Sequence, residues 1–160
     1  IIWGCGSKSE QQAETNYLPD LKAEIPTELQ DNKEIVEYIT VTTEALNQMS
    51  RSLEDLYVKI KPFAHKEEAD LSTMEKLKLT KYALEFTAEM AKVGAKMATM
   101  QETYTLMADK LTDDEQQALE IIQSSFYKRI EELNKKYEDL NQIEVEQDQI
   151  EMNDSAEIAV

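Results

Sequence analysis

The residues that could carry chemistry in this chain are few, and their types exclude most catalytic sites. The 160 residues include one histidine, His65, and one cysteine, Cys5. Nucleophilic catalysis pairs a nucleophile with a neighbouring base, and a zinc site needs more nitrogen or sulfur ligands than these two residues supply. The sequence also lacks a glycine-rich phosphate loop and the Glu-x-x-His motif of di-iron bundles. We therefore expect no catalytic residue, no metal site, no cofactor and no enzyme activity.

Four methionines could in principle form a soft metal site, because they lie on one face of a predicted helix. Thioether sulfurs are ligands that copper accepts. The alternative is that flexible methionines fill gaps in a core, where they are common. The core interpretation fits the spacing better, since aromatic and aliphatic residues occupy the positions between them on the same face. The four residues are Met90, Met97, Met100 and Met107.

The start of the chain contains the most specific motif, Ile2-Trp3-Gly4-Cys5. It resembles the processing site of bacterial lipoproteins, in which an aliphatic residue and small residues precede a cysteine. Trp3 stands where that pattern prefers a small residue. A polar run from Gly6 to Gln12 follows at once. The resemblance implies that residues 1–4 are the remnant of a signal peptide and that Cys5 carries acyl chains that anchor the protein to a membrane.

The charge of the chain restricts its partners, because the formal net charge is −16. Nucleic acid would be repelled, and so would anionic lipid headgroups, so we expect membrane contact only through the acyl groups on Cys5. No lysine or arginine follows Lys136, although eight carboxylates do. A solvated tail explains this run, and a docking surface for a basic protein is the alternative. These carboxylates are Glu138, Asp139, Glu144, Glu146, Asp148, Glu151, Asp154 and Glu157.

Composition predicts an all-α fold, since glycine and proline are rare and helix-forming residues dominate. Residues 5–26, with two prolines, are predicted to form a flexible, lipid-anchored linker that holds the domain clear of the membrane. Residues 27–150 are predicted to form an elongated antiparallel three-helix bundle, and residues 151–160 an acidic disordered tail. The predicted helices cover residues 28–61, 73–110 and 113–147.

Apolar residues in each predicted helix recur at alternating steps of three and four, which is typical of coiled-coil packing. Capping boxes predict helix starts at Thr27 or Asp31, at Ser72 and at Thr112. The second helix also carries a flanking stripe of alanines, so we expect it to be central and to form a tight hairpin with the third. Its main apolar stripe consists of Phe86, Met90, Val93, Met97, Met100, Tyr104, Met107 and Leu111.

An up-down-up path places the first helix connection and the C-terminal tail at one end of the rod, far from the tether. We expect this membrane-distal tip to bind the partner. The candidate residues in the connection are Phe63, His65, Glu67, Glu68 and Asp70, and those in the tail are Glu144, Glu146 and Asp148.

The sequence thus predicts a non-catalytic, lipid-anchored protein of a bacterial cell envelope, at the outer membrane or cell surface, that serves as a helical binding or structural module for another protein. The alternative is a protective or inhibitory lipoprotein, of the immunity or exclusion type, that captures a basic protein or peptide through its acidic surface. Homo-oligomers that form through the apolar seams are a further possibility.

Overall fold

Three long helices make up most of the structure, a computed structural model that describes residues 15–142. Helix α1 spans Lys33–Ile60, α2 spans Thr73–Met107 and α3 spans Asp113–Lys136. Between residues 15 and 142 there is no β-strand, so the predicted all-α bundle is confirmed. Short 3-10 turns lie at Thr27–Leu29, Lys61–Phe63, Glu68–Asp70, Ala108–Lys110 and Glu138–Gln142.

Side-chain caps determine where the helices begin. At α2 and α3, Ser72 and Thr112 each accept a hydrogen bond from the backbone N–H three residues later, and the glutamate at that position bonds back to the cap, as predicted. At α1 the cap is Asn32, which accepts a bond from Ile35 N at 3.3 Å. The predicted start at Thr27 or Asp31 is therefore early, because a 3-10 turn at residues 27–29 and a turn at residues 30 and 31 precede the helix.

The helices also end earlier than predicted. Helix α2 tightens into a 3-10 turn after Met107, and α3 ends at Lys136 instead of residue 147. Tyr137 leaves the helical conformation, with φ −115° and ψ 26°. Lysines occupy the last turn of α3, where they offset the negative end of the helix dipole, whereas the carboxylates that follow would be unfavourable at a longer helix's C-terminus.

Helix α1 lies at the centre of the bundle. It packs antiparallel to α2, because Tyr38 contacts Tyr104 while Lys59 pairs with Glu85. It runs parallel to α3, because contacts join the starts of the two helices at Asn32 and Glu115 and their ends at Glu54 and Lys136. The ring of Tyr38 packs against those of Tyr104 in α2 and Phe126 in α3, with centroids 5.5 and 6.4 Å apart. Helices α2 and α3 approach each other far less along their lengths. The predictions that helix 2 is central and forms a tight hairpin with helix 3 are therefore wrong.

Residues 15–26 lie against the bundle and cover a third side of α1. We call this segment the strap. It contains no helix or strand, and the alternate residues Leu21, Ala23 and Ile25 pack against the buried core. The flexible linker predicted for residues 5–26 is therefore wrong over residues 15–26, because these apolar side chains and the hydrogen bonds of the strap hold it on the bundle.

The two ends of the bundle differ in what they carry. The loop end holds residues 61–72, between α1 and α2, together with the C-terminus of α3. The turn end holds residues 108–112, between α2 and α3, and the start of α1. The loop end is closed by Tyr57 and Tyr137, whose ring centroids lie 5.7 Å apart. At the turn end, Asn32 Nδ2 lies 3.5 Å from Glu115 Oε1.

Candidate interaction surfaces

The strap is held mainly through its backbone. The side-chain amide of Asn47 in α1 accepts a bond from Leu21 N at 2.7 Å and donates one to Leu21 O at 3.0 Å. One amide thus pairs with both backbone polar groups of Leu21, in the way that a neighbouring strand would. Arg51 of α1 adds an ion pair with Asp20 at 2.5 Å.

A buried carboxylate fixes the strap at the loop end. Glu54 is only 2% exposed, and its oxygens accept bonds from Asn16 N at 2.6 Å, Lys136 Nζ at 2.8 Å and Tyr137 Oη at 2.5 Å. Lys136 also donates to the backbone oxygen of Asn16. One acidic side chain of α1 therefore joins the strap and the end of α3.

The same contacts set the protonation of this cluster. Burial alone raises the pKa of Glu54, but the hydrogen bonds from Lys136, Tyr137 and Asn16 outweigh burial and leave the pKa below its usual value. Burial and the bond to Glu54 raise the pKa of the Tyr137 hydroxyl. Glu54 is therefore ionised and Tyr137 neutral at neutral pH, which is the state in which all three donors have an acceptor.

Arg129 of α3 lies beneath the strap with its charge largely removed from water. The residue is 7% exposed, and its Nη2 donates to Pro19 O of the strap at 2.8 Å. Its Nε lies 3.3 Å from a carboxylate oxygen of Glu132. Within residues 15–142, Nε and Nη1 make no hydrogen bond. The strap carbonyl is thus the one hydrogen-bond acceptor that the described chain gives this buried guanidinium.

The predicted binding residues of the first connection lie together at the loop end. Phe63 is half-buried, while His65, Glu67 and Asp70 are exposed. Glu68 pairs with Lys76 at 3.4 Å. The predicted tail residues Glu144, Glu146 and Asp148, and the predicted lipidation site Cys5, lie outside the described residues.

The position of the loop end relative to the N-terminal chain differs from the prediction. Because the strap runs antiparallel to α1, Asn16 lies beside Glu54 and Tyr17 Oη bonds Asp55 at 2.5 Å. The N-terminal chain therefore enters the bundle at the loop end. The expectation that residues 61–72 form the end far from the tether is wrong, because it took the linker to join the bundle where α1 begins.

The opposite, turn end carries an acidic surface that the sequence analysis did not single out. Its two helix N-termini, those of α1 and α3, lie side by side. Carboxylates are favourable at helix N-termini, where they offset the positive end of the helix dipole. Six exposed carboxylates and two exposed lysines lie here: Glu28, Asp31, Glu34, Asp109, Asp113 and Asp114, with Lys33 and Lys110. The predicted helix starts at Thr27 or Asp31 and at Thr112, each followed by carboxylates, were the signal that could have revealed this surface.

A shallow groove of roughly 360 Å³ runs between α1 and α2 near the loop end. Leu56, Tyr82 and Phe86 give it an apolar floor, and Asp55 and Glu89 are among the acidic residues that line it. The position that a basic side chain would take is already filled. Lys59 lies 5.4 Å from the centre of the Tyr82 ring and pairs with Glu85 at 3.1 Å.

Helix α2 buries one face only. Its predicted apolar stripe does face α1, with Val93, Met100 and Met107 buried, and this accounts for the methionine spacing as core packing. The opposite face is open to solvent over its whole length. Met74, Leu77 and Leu84 are 63%, 65% and 67% exposed there.

Comparison with known proteins matches this chain to no family model, no curated protein and no solved structure. Within the described residues, no helix is both long and apolar enough to cross a bilayer.

Proposed function

We propose that this protein is a non-catalytic binding module of a bacterial cell envelope, anchored to a membrane by acyl chains on Cys5. The observation that carries the proposal is the course of the strap, which brings the N-terminal chain to the loop end through Asn16 and Glu54. Ten residues lie between Cys5 and Asn16, and a fully extended chain from Cys5 to Asn16 spans at most about 40 Å. An anchored bundle therefore keeps its loop end near the membrane.

When the bundle stands upright on this tether, the acidic turn end is the surface that faces away from the membrane. A partner that arrives from solution meets the carboxylates at the starts of α1 and α3 first. The strap supports such a role mechanically, because Asn47, Glu54 and Arg129 hold it at successive points along its length. A pull on the N-terminal chain is then shared among these contacts.

A second candidate function is capture of a basic protein or peptide, as protective and inhibitory lipoproteins do. The observation in its favour is the excess of exposed carboxylates over lysines at the turn end. Charge pairing of this kind speeds association and weakens as salt screens it. A binding module that packs helix against helix would be far less sensitive to salt.

Two measurements test these proposals separately. Intact mass of the protein isolated from its native membrane should show loss of residues 1–4 and an acyl increment on Cys5, and Cys5→Ser should leave the membrane fraction. A full-length native mass with a free thiol would refute the anchor, whatever the protein binds.

Capture is tested with a lysine-rich peptide as probe, titrated at low and at physiological salt. Asp113→Asn with Asp114→Asn should weaken binding, whereas Glu67→Gln with Glu68→Gln at the loop end serves as the matched control. If the loop-end pair weakens binding and the turn-end pair does not, the residues of the first connection form the docking surface instead. Absence of binding at low salt would remove the capture function.

A further inference from the structure

The solvent-exposed face of α2 carries a second apolar seam, which we call the outer seam. Its positions step by three and four, as in a coiled coil, and lie on the side of α2 opposite the buried Val93, Met100 and Met107. The side chains of the seam are bulky at the loop end of the helix and small toward the turn end. Its members are Met74, Leu77, Lys81, Leu84, Ala88, Ala91, Ala95 and Ala98.

We propose that the outer seam pairs with the outer seam of a second copy of this chain, with the two α2 helices antiparallel. This inference does not depend on the membrane anchor or on capture of a basic partner. Three observations support a second copy as the occupant: the distribution of side-chain size along the seam, the charge of α2, and the length of the seam.

Side-chain size selects the antiparallel direction. In a parallel pair, leucine would meet leucine at one end and alanine would meet alanine at the other, so the helix axes would need different separations along the pair. In an antiparallel pair, Leu84 meets Ala88 of the second copy, Leu77 meets its Ala95 and Met74 meets its Ala98. Every bulky apolar layer then faces a small one, which allows a constant separation.

Side-chain type also selects one register. If one helix slides by seven residues toward greater overlap, Leu77 meets Glu102 of the second copy, which places a carboxylate in the apolar seam. If it slides seven residues the other way, Lys81 meets Leu84 and the overlap shortens. In the preferred register Lys81 meets Ala91, and its ammonium stays at the edge of the seam, where it lies 3.7 Å from Glu85 of its own helix.

The charge of α2 permits close approach of two copies that each carry a net charge of −16. Between residues 74 and 98 the helix has more lysines than glutamates. Each of its three glutamates already pairs with a lysine of the same chain: Glu75 with Lys66, Glu85 with Lys59 and Lys81, and Glu89 with Lys92. Within the overlap the helix therefore brings no unpaired carboxylate against the other copy, and the remaining glutamate of α2, Glu102, lies beyond it.

The size of the contact indicates a reversible dimer. The overlap from residue 74 to residue 98 is about 37 Å long, and a helix is about 10 Å wide, so each copy covers roughly 400 Å². The total lies at the low end for specific complexes. The two Asn16 residues lie at opposite ends of this dimer, so a dimer anchored through both copies of Cys5 would lie along the membrane, and the turn end would face away from the membrane only in the monomer.

Sedimentation of the full chain tests the dimer. Mass should rise from monomer to dimer with concentration, and more steeply at higher salt, because salt screens repulsion between acidic copies. Leu84→Glu should leave a monomer at every concentration. Ile121→Glu on α3, where the side chain is 71% exposed, is the matched control and should dimerise like the parent. A monomer throughout, or an equal effect of the two variants, would overturn the proposal.

Disulfide cross-linking in a Cys5→Ser background tests the register. When Leu84→Cys and Ala88→Cys proteins are mixed and oxidised, the disulfide between the two variants should form in excess over either variant with itself. The control mixture of Leu84→Cys and Ala95→Cys reports the register shifted by seven residues and should form less. A result in which the control pair forms as much or more would contradict the register proposed here.

Discussion

Helices α1 and α2 have nearly the same apolar periodicity in the sequence, yet they have opposite surroundings. Helix α1 is covered by α2, α3 and the strap, and it buries Thr42, Ser50 and Glu54 in addition to its apolar residues. Helix α2 buries one stripe and leaves its outer seam to solvent. Apolar residues that recur at steps of three and four therefore predict that a helix has a neighbour, but not how many neighbours it has.

Part of the difference arises from the strap, which a helical pattern cannot reveal. Its apolar residues follow the alternation of an extended chain, and its backbone groups bond to side chains of α1 and α3 instead of to a neighbouring strand. Such a segment has no hydrogen-bond periodicity of its own. It becomes ordered only when the groove that receives it exists.

The largest expected effect is the difference in unfolding free energy between truncating a buried leucine and truncating an exposed one. Leu29 is fully buried where the strap meets α1, and Leu77 on the outer seam is 65% exposed. Leu29→Ala should lower the free energy of unfolding by about 3 kcal/mol, because it leaves a cavity in the core. Leu77→Ala should change it by less than about 0.5 kcal/mol at a concentration where the protein is monomeric. Urea titration of both variants measures the two free energies of unfolding, and equal losses would contradict this expectation.

The next effect tests the buried carboxylate beneath the strap. Glu54→Gln removes the charge that Lys136 and Tyr137 share, and we expect a loss of about 2 kcal/mol in unfolding free energy, since hydrogen bonds to charged groups are the stronger ones. Asp55→Asn is the matched control one residue away, where the side chain is exposed and bonds Tyr17. A loss at Asp55 as large as that at Glu54 would mean that burial is not the cause.

A smaller effect is expected from the amide that pairs with the strap backbone. Asn47→Ala should cost about 1 kcal/mol and should raise the hydrogen-exchange rate of the Leu21 amide, whose acceptor it removes. Gln48→Ala, one residue on, removes contacts to α2 and should leave Leu21 exchange unchanged. Unchanged Leu21 exchange in Asn47→Ala would show that another group protects the strap.

The smallest expected effect is on the free energy of unfolding in acid, and it concerns Glu54 beneath the strap and Glu75 at the start of α2. The pKa of Glu54 is lowered in the fold, and hydrogen bonds from Lys66 and Ser72 lower the pKa of Glu75 to about 2. The stabilisation from each carboxylate is therefore complete above the usual carboxyl pKa of 4.5 and is lost at lower pH, and for Glu75 the loss extends toward pH 2. In an acid titration of unfolding free energy, Glu75→Gln should flatten the last part of the decline. A decline of unchanged shape would contradict the lowered pKa.

Much of the fold could be predicted from local sequence. The capping pairs Ser72 with Glu75 and Thr112 with Glu115 placed two helix starts correctly, because caps act within one turn. The neighbour relations could not be predicted, since the alanines beside the α2 stripe suggested a close helix where the structure has solvent. Asn47, Glu54 and Arg129 were missed because each contacts residues about 26 to 110 positions away in the sequence. The prediction grouped the residues of the first connection correctly. It placed them at the end far from the tether because it took residues 5–26 to be an unstructured linker.

The course of the strap along α1 can be tested directly by measuring the distance between two spin labels. In a Cys5→Ser background, labels at Thr15 and Ala64 should lie within about 25 Å in a narrow distribution, because the strap returns the chain to the loop end. Helix α1, with 28 residues, is about 42 Å long. A broad distribution centred beyond about 40 Å would show that the segment leaves from the turn end as a free linker, and would contradict the strap.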